Sequence, residues 1–157
     1  MEYTLLKLLH VVAVVIFLGN IFTGLFWMHI AVKSRDVRII SHTIKGVIKS
    51  DRLFTLPCVI LITTFGFWAA IQGRIPILGT GWILWSLILF SISGIAFAVK
   101  VAPLQKKLDQ LTFDKENSSD LDWEAFNNVY VKWEIWGAIA LITPIAALVM
   151  MTLKLPL

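Results

Sequence analysis

Val11 to Ile30 limits this chain more than any other stretch, because only Asn20, Thr23 and His29 within it are conventionally polar. About 20 mostly apolar residues are what a helix needs to cross ~30 Å of hydrocarbon. The stretch therefore predicts a spanning helix, over about residues 4–31. At ~100° per residue, His10, Ala13, Phe17, Asn20, Gly24 and Met28 fall on one face, with Lys7 one turn earlier. That face should look into protein, since a histidine and an asparagine pointed at acyl chains would lack partners. Gly24 on the same stripe lets another helix come close.

Composition extends the argument to the whole chain. Of the 157 residues 58% are hydrophobic and 15% charged, with a mean hydropathy of +0.81, too apolar for an ordinary soluble domain. The net charge of +4 comes from basic residues clustered between apolar runs, as membrane topology and anionic headgroups demand, and excludes nucleic acid as a partner. The lone cysteine, Cys58, excludes an internal disulfide and any multi-thiolate metal site within one chain. The first apolar run is longer than the core of a signal peptide and is expected to be kept.

In chain order, residues 34–52 carry Arg35, Arg38, Lys45, Lys49 and Arg52 against Asp36 and Asp51, and read as a basic amphipathic helical connector along a membrane face. A second span is expected over 53–71, opened by Ser50 or Asp51 as cap, with Pro57 in its first turns. After the link QGRIPILGTG a third span covers 81–100, and Trp68, Trp82 and Trp85 bracket the link at headgroup level. Residues 100–132 read as a solvated loop with helical extensions, rich in Asp, Glu and Lys. A fourth span covers 132–154, bent at Thr143-Pro144, with neighbouring groups absorbing the lost backbone hydrogen bond. The expected fold is all-α, a polytopic four-transmembrane-helix bundle in one membrane domain. No repeat or second domain is visible.

Intramembrane ionisable groups are costly and usually functional, so His10 draws attention. Its depth, ~9 Å from a start near Thr4, matches that of Met150 and Met151 from the end of the fourth helix, and Met150 shares a stripe with Trp136, Ala140, Thr143 and Ala147. A pocket edged by His10, Met150, Trp68 and Trp85, with Asn20 deeper on the His10 stripe, is the candidate cofactor site. Imidazole in an apolar helical bundle is the usual way to hold haem iron, with methionine a known second ligand, so His10 is the candidate ligand of a b-type haem or another metal. The competing reading makes His10 a structural group, hydrogen-bonded across helices to a carbonyl or hydroxyl. His29 and His42 read as interfacial, and Asp51-Arg52 and Lys132-Glu134 as charges anchoring helix ends in headgroups. Phosphate loops, two-histidine metal spacings, nucleophile triads and paired carboxylates within a span are all absent.

LKLLHV with the following Gly19, SDRLFTLPCVILITTFGF, GWILWSLILF, VAPLQKKL and the terminal VMMTLKLP together resemble the uncharacterised bacterial membrane family called domain of unknown function 2269. That resemblance covers nearly the whole chain and implies a four-helix protein of the bacterial inner membrane. More distantly, the Lys7-x-x-His10 spacing and the terminal Lys-Pro region are similar to HemJ-type protoporphyrinogen oxidases and to CopD-type membrane domains. The first of these resemblances implies a haem role for His10 alone. The sequence departs from that oxidase group in placing Lys100 at the end of its helix and in inserting Leu155 between Lys154 and Pro156.

Two functions follow from these observations: a haem-binding redox protein, or a non-catalytic subunit or assembly factor that binds a larger complex or a copy of itself. The topology is common to both. Residues 32–52 hold six Lys or Arg and 100–132 hold five, against Arg74 alone in the middle link and Lys7 and Lys154 at the ends. This bias puts the first and third loops in the cytoplasm and both termini outside. A reporter fused after Leu157 should therefore be active only outside the cytoplasm and one inserted near Ser118 only inside; the opposite pattern would reverse the assignment.

Overall fold

The computed structural model describes residues 2–113 and 121–155. Asp114, Lys115, Glu116, Ser118 and Asp120 of the charged loop, and Pro156 and Leu157 of the terminal motif, lie outside the described residues. The helices are α1 (Glu2–Ser34), α2 (Val37–Ser50), α3 (Leu56–Gln72), α4 (Gly81–Ala96), α5 (Ala102–Phe113) and α6 (Trp123–Leu153). Single π-turns, Asp51–Thr55 and Phe97–Val101, join α2 to α3 and α4 to α5 without a break. Four continuous rods result, each long and apolar enough to cross a membrane.

Each rod outruns the bilayer. The 33 residues of α1 span ~50 Å against ~30 Å of hydrocarbon, so roughly 20 Å stands beyond the apolar layer. The end of the bundle rich in Lys and Arg, the basic end, lies opposite the terminal end that holds Glu2, the 73–80 link and Leu153. The connector buries its stripe Ile40, Ile44 and Val47 inside the bundle, so that face packs on protein. The third rod continues past Lys100 to Phe113, and the fourth begins at Trp123, not at 132. An amphipathic helix with polar flanks can bury its stripe in protein as well as in lipid, and here α5 and α6 offer Leu108, Phe126 and Val129 to receive it.

Local chemistry fixes the turns. Arg35 takes a left-handed φ of 54° after α1, and Asp36 caps α2 by accepting from the Arg38 backbone N–H at 2.9 Å. Asp122 caps α6 in the same way, accepting from the Ala125 N–H at 3.0 Å. Both π-turns end two residues before a proline, Pro57 and Pro103. A proline inside a helix removes one hydrogen bond and crowds the carbonyl four residues back, and one widened turn relieves that crowding. Pro144 in α6 is handled differently: the carbonyl it leaves without a donor, Ala140 O, accepts the Ser93 hydroxyl of α4 at 2.6 Å. The expected rescue of the Thr143-Pro144 site is thus supplied by a named neighbour.

Packing changes along the rods. At the basic end α1, α2, α5 and α6 close a ring around Met28, Ile40, Ile44, Leu108, Phe126 and Trp133. Toward the terminal end α3 packs on α1 and α4 on α6, but no Cα of α3 comes within 8 Å of any Cα of α4. A smaller cluster of Ala13, Phe17, Ile21, Cys58 and Ile62 holds the first pair together, and Phe17 meets Phe90 of α4 at 5.7 Å between ring centroids. The bundle is closed at one end and open between α3 and α4 at the other. Ile60, Ile71, Ile95 and Ile142 face outward, each more than half exposed, an apolar surface that suits hydrocarbon or another apolar helix.

Where the pairs join, Gly137 of α6 meets Leu25 of α1, and a Cβ on Gly137 would lie 2.7 Å from Leu25 Cδ2. Alanine there should be nearly neutral, since the helix propensity it gains (~1 kcal/mol) offsets a small shift of the leucine tip. Gly137→Val should lower stability in detergent by ~1–3 kcal/mol through overpacking, and Leu25→Ala should restore part of the loss. Equal stability of the valine variant and wild type would show that the two helices do not meet here.

Candidate functional site

Asp51 opens the first π-turn and is the one carboxylate buried among the described residues, 6% exposed. Three helices converge on it. Asn20 of α1 donates through Nδ2 to Asp51 Oδ1 at 3.0 Å, Thr55 one turn on donates to the same oxygen at 2.8 Å, and Gln105 of α5 donates through Nε2 to Oδ2 at 2.8 Å. Asn20 Nδ2 also reaches Thr55 Oγ1 at 2.8 Å, closing a small ring of bonds. Among the described residues no Lys or Arg pairs with Asp51, and the adjacent Arg52 is exposed. The carboxylate is held by neutral donors alone, each charge-assisted and hence stronger than an amide bond to a neutral oxygen.

A cavity of about 20 Å³ lies beside this cluster, lined by Asn20 and Gly24, Val47 and Asp51, Phe97 and Gln105, and Trp133, so that all four rods contribute. Both π-turns border it. Trp133, 2% exposed, has a buried indole N–H without a hydrogen-bond partner. The cavity is the size of one water, and its chemistry suits a group that accepts from the indole and donates to the carboxylate.

His10 sits elsewhere, nearer the terminal end. Its Nδ1 lies 2.9 Å from the Ile62 carbonyl of α3, and the ring rests on Gly66, where a Cβ would come within 3.0 Å of Cε1. Glycine one turn beyond Ile62 is what uncovers that carbonyl for a second donor. The arrangement is the interhelical histidine bond that helical counting offered as the structural reading. It also fixes the ring nitrogen pattern found in many metal-binding histidines, with Nδ1 on a carbonyl and Nε2 turned elsewhere.

Among the described residues, none of the other expected site residues makes a hydrogen bond to His10. Asn20 belongs to the Asp51 cluster, about three turns from His10. Met150 is half-buried on α6, and Trp85 and Trp68 are each about half exposed on the outer surface of their helices. None of His10, Met150 and Trp85 lines the cavity at Asp51. His42 is exposed, whereas His29 pairs with Glu134 of α6 at 3.1 Å, which corrects the reading of Lys132-Glu134 as a simple helix-end anchor. Asp51 is the larger correction. Placed in sequence beside Arg52 at a span's edge, it reads as a headgroup charge, yet the rod does not end there and the π-turn carries it inward. The local signal is Pro57, since a proline within a continuous helix can be relieved by a widened turn before it.

The chain matches the family described as predicted integral membrane protein (DUF2269) over residues 4–155, and it belongs to that family. No curated protein and no solved structure matches it.

Removing the buried acceptor should cost more than removing an exposed cap. Asp51→Ala strands donors on three helices and should lower stability by ~3 kcal/mol, against ~1 for Asp36→Ala and ~0.6–2 for His10→Ala. Asp51→Asn, which keeps one acceptor oxygen, should fall between. If Asp51→Ala costs no more than Asp36→Ala in the same detergent unfolding assay, the cluster does not hold the bundle.

Proposed function

We propose that this member of the family is a non-catalytic subunit or assembly factor of a larger membrane complex, seated in the bacterial inner membrane with its basic end in the cytoplasm. The observation that supports this reading is the uneven closure of the bundle. The basic end is a complete four-helix ring with its own core, while α3 and α4 leave one another in the membrane. A helix that touches one neighbour in its own chain and presents Ile60, Phe67 and Ile71 outward has a free side for a partner helix. Van der Waals packing between helices drives association there, because lipid tails are as apolar as the side chains.

A second reading, a b-type haem held by His10, is favoured by the bond between His10 and Ile62 O, which leaves Nε2 as the nitrogen for a metal. Such a group would supply one-electron chemistry, with Met150 as the second ligand expected from sequence. His10 lines neither the cavity at Asp51 nor the groove between α1 and α6, and the subunit reading does not require it to.

One preparation separates the two. Photo-reactive residues at Ile60, Phe67 and Ile71 of α3 should crosslink to a discrete protein partner or a second copy, whereas Ile135, Ile142 and Val149 of α6 should give only lipid adducts. Absence of any α3-specific product would defeat the subunit reading. A Soret band in wild type that His10→Ala abolishes, and that Met150→Ala only shifts in potential, would establish the haem reading in its place.

A further inference from the structure

His29 and Glu134 lie on the outer surface of the bundle, 48% and 41% exposed. His29 is ~40 Å along α1 from Glu2, the full thickness of a bilayer with its headgroups, so the pair stands at the headgroup level of the basic-end leaflet. Glu134 Oε1 carries both available donors, His29 Nδ1 at 3.1 Å and the Tyr130 hydroxyl at 2.9 Å. Oε2 has no partner among the described residues. The pair closes one end of a groove of about 280 Å³ between α1 and α6. Every other side chain lining it is apolar: Phe22, Leu25 and Phe26 on one wall, Ala138 and Leu141 on the other. Phe22 and Phe26 stack with ring planes 9° apart, which makes the first wall flat. Both walls run seven residues from the polar pair toward the bilayer centre, His29 to Phe22 and Glu134 to Leu141, or ~10 Å.

A polar end at the headgroups and an apolar trough descending into hydrocarbon fit a membrane lipid, headgroup on the pair and acyl chain along the trough. The charge on the pair selects among headgroups. Glu134 has one oxygen unserved and no Lys or Arg partner, and a primary ammonium supplies both the missing charge and an N–H donor. A quaternary ammonium supplies charge without the donor, and an anionic headgroup meets the carboxylate unfavourably. We propose that the groove between α1 and α6 is a binding site for a phospholipid bearing a primary ammonium, of the phosphatidylethanolamine type, read by Glu134 within the His29–Glu134–Tyr130 cluster. This goes beyond the subunit reading and does not depend on it.

The test is native mass spectrometry of the full chain released from mixed vesicles of equal phosphatidylethanolamine, phosphatidylcholine and phosphatidylglycerol. Wild type should retain one ethanolamine lipid enriched roughly fivefold to tenfold over the mixture, as one charge-assisted hydrogen bond kept or lost implies. Glu134→Gln should bring the enrichment to within about twofold, and Ala138→Trp should fill the trough and abolish retention while leaving helicity and melting unchanged. Retention of the three lipids in mixture proportions overturns the proposal, as does a preference for phosphatidylglycerol or phosphatidylcholine. Undiminished enrichment in Glu134→Gln overturns the role given to the carboxylate.

Discussion

Within a bilayer every backbone carbonyl must find a donor inside the protein, and three prolines make that requirement the centre of this structure. Pro57 and Pro103 fall in rods that must remain continuous, and each is accommodated by widening the preceding turn. Pro144 leaves Ala140 O to the Ser93 hydroxyl, which ties α6 to α4. These answers determine the architecture around them. The two widened turns border the same small cavity, and the serine bond fastens the pair of helices that stands apart from α3.

The buried carboxylate depends on the first of those turns. A charge out of water loses several kcal/mol of hydration unless hydrogen bonds replace it. Asp51 recovers part of that from Asn20, Thr55 and Gln105, contributed by three rods, so the same bonds that solvate it fix the helices relative to one another. Polar contacts of this kind specify one arrangement where apolar stripes alone would tolerate several. In a bundle whose membrane half is loosely gathered, a polar node between the closed and open parts sets where the divergence begins.

Sequence carried much of this, and its failures have physical causes. The number of spans, the inward stripe from His10 through Ala13 and Phe17 to Met28, and the rescue of Pro144 follow from helical period and the cost of unsatisfied groups, which are local. The charged flanks 34–52 and 100–132 read in sequence as the ends of spans, whereas α2, α5 and α6 carry helix through much of both. The burial of Asp51 is hidden for the same reason. A charge beside Arg52 is ambiguous until a partner such as Gln105, 54 residues away, is known to face it. The pairing of His29 with Glu134 is likewise a long-range fact that no periodicity contains.

The π-turns also reconcile two periodic patterns within one rod. In the third rod the buried positions run Ile83, Ser86, Ser93 and Ala96, then Val101, Gln105, Leu108 and Thr112, with a step of five residues across the widened turn where steps of three or four prevail. The extra residue resets the phase of the inward face, so that the stripe of α4 packed on α6 hands over without a hinge to the stripe of α5 packed on α2 and α6. Each half can then keep its own spacing of inward residues. A rod without such a turn would impose one phase on both environments, and any change that improved packing in one would rotate side chains out of place in the other.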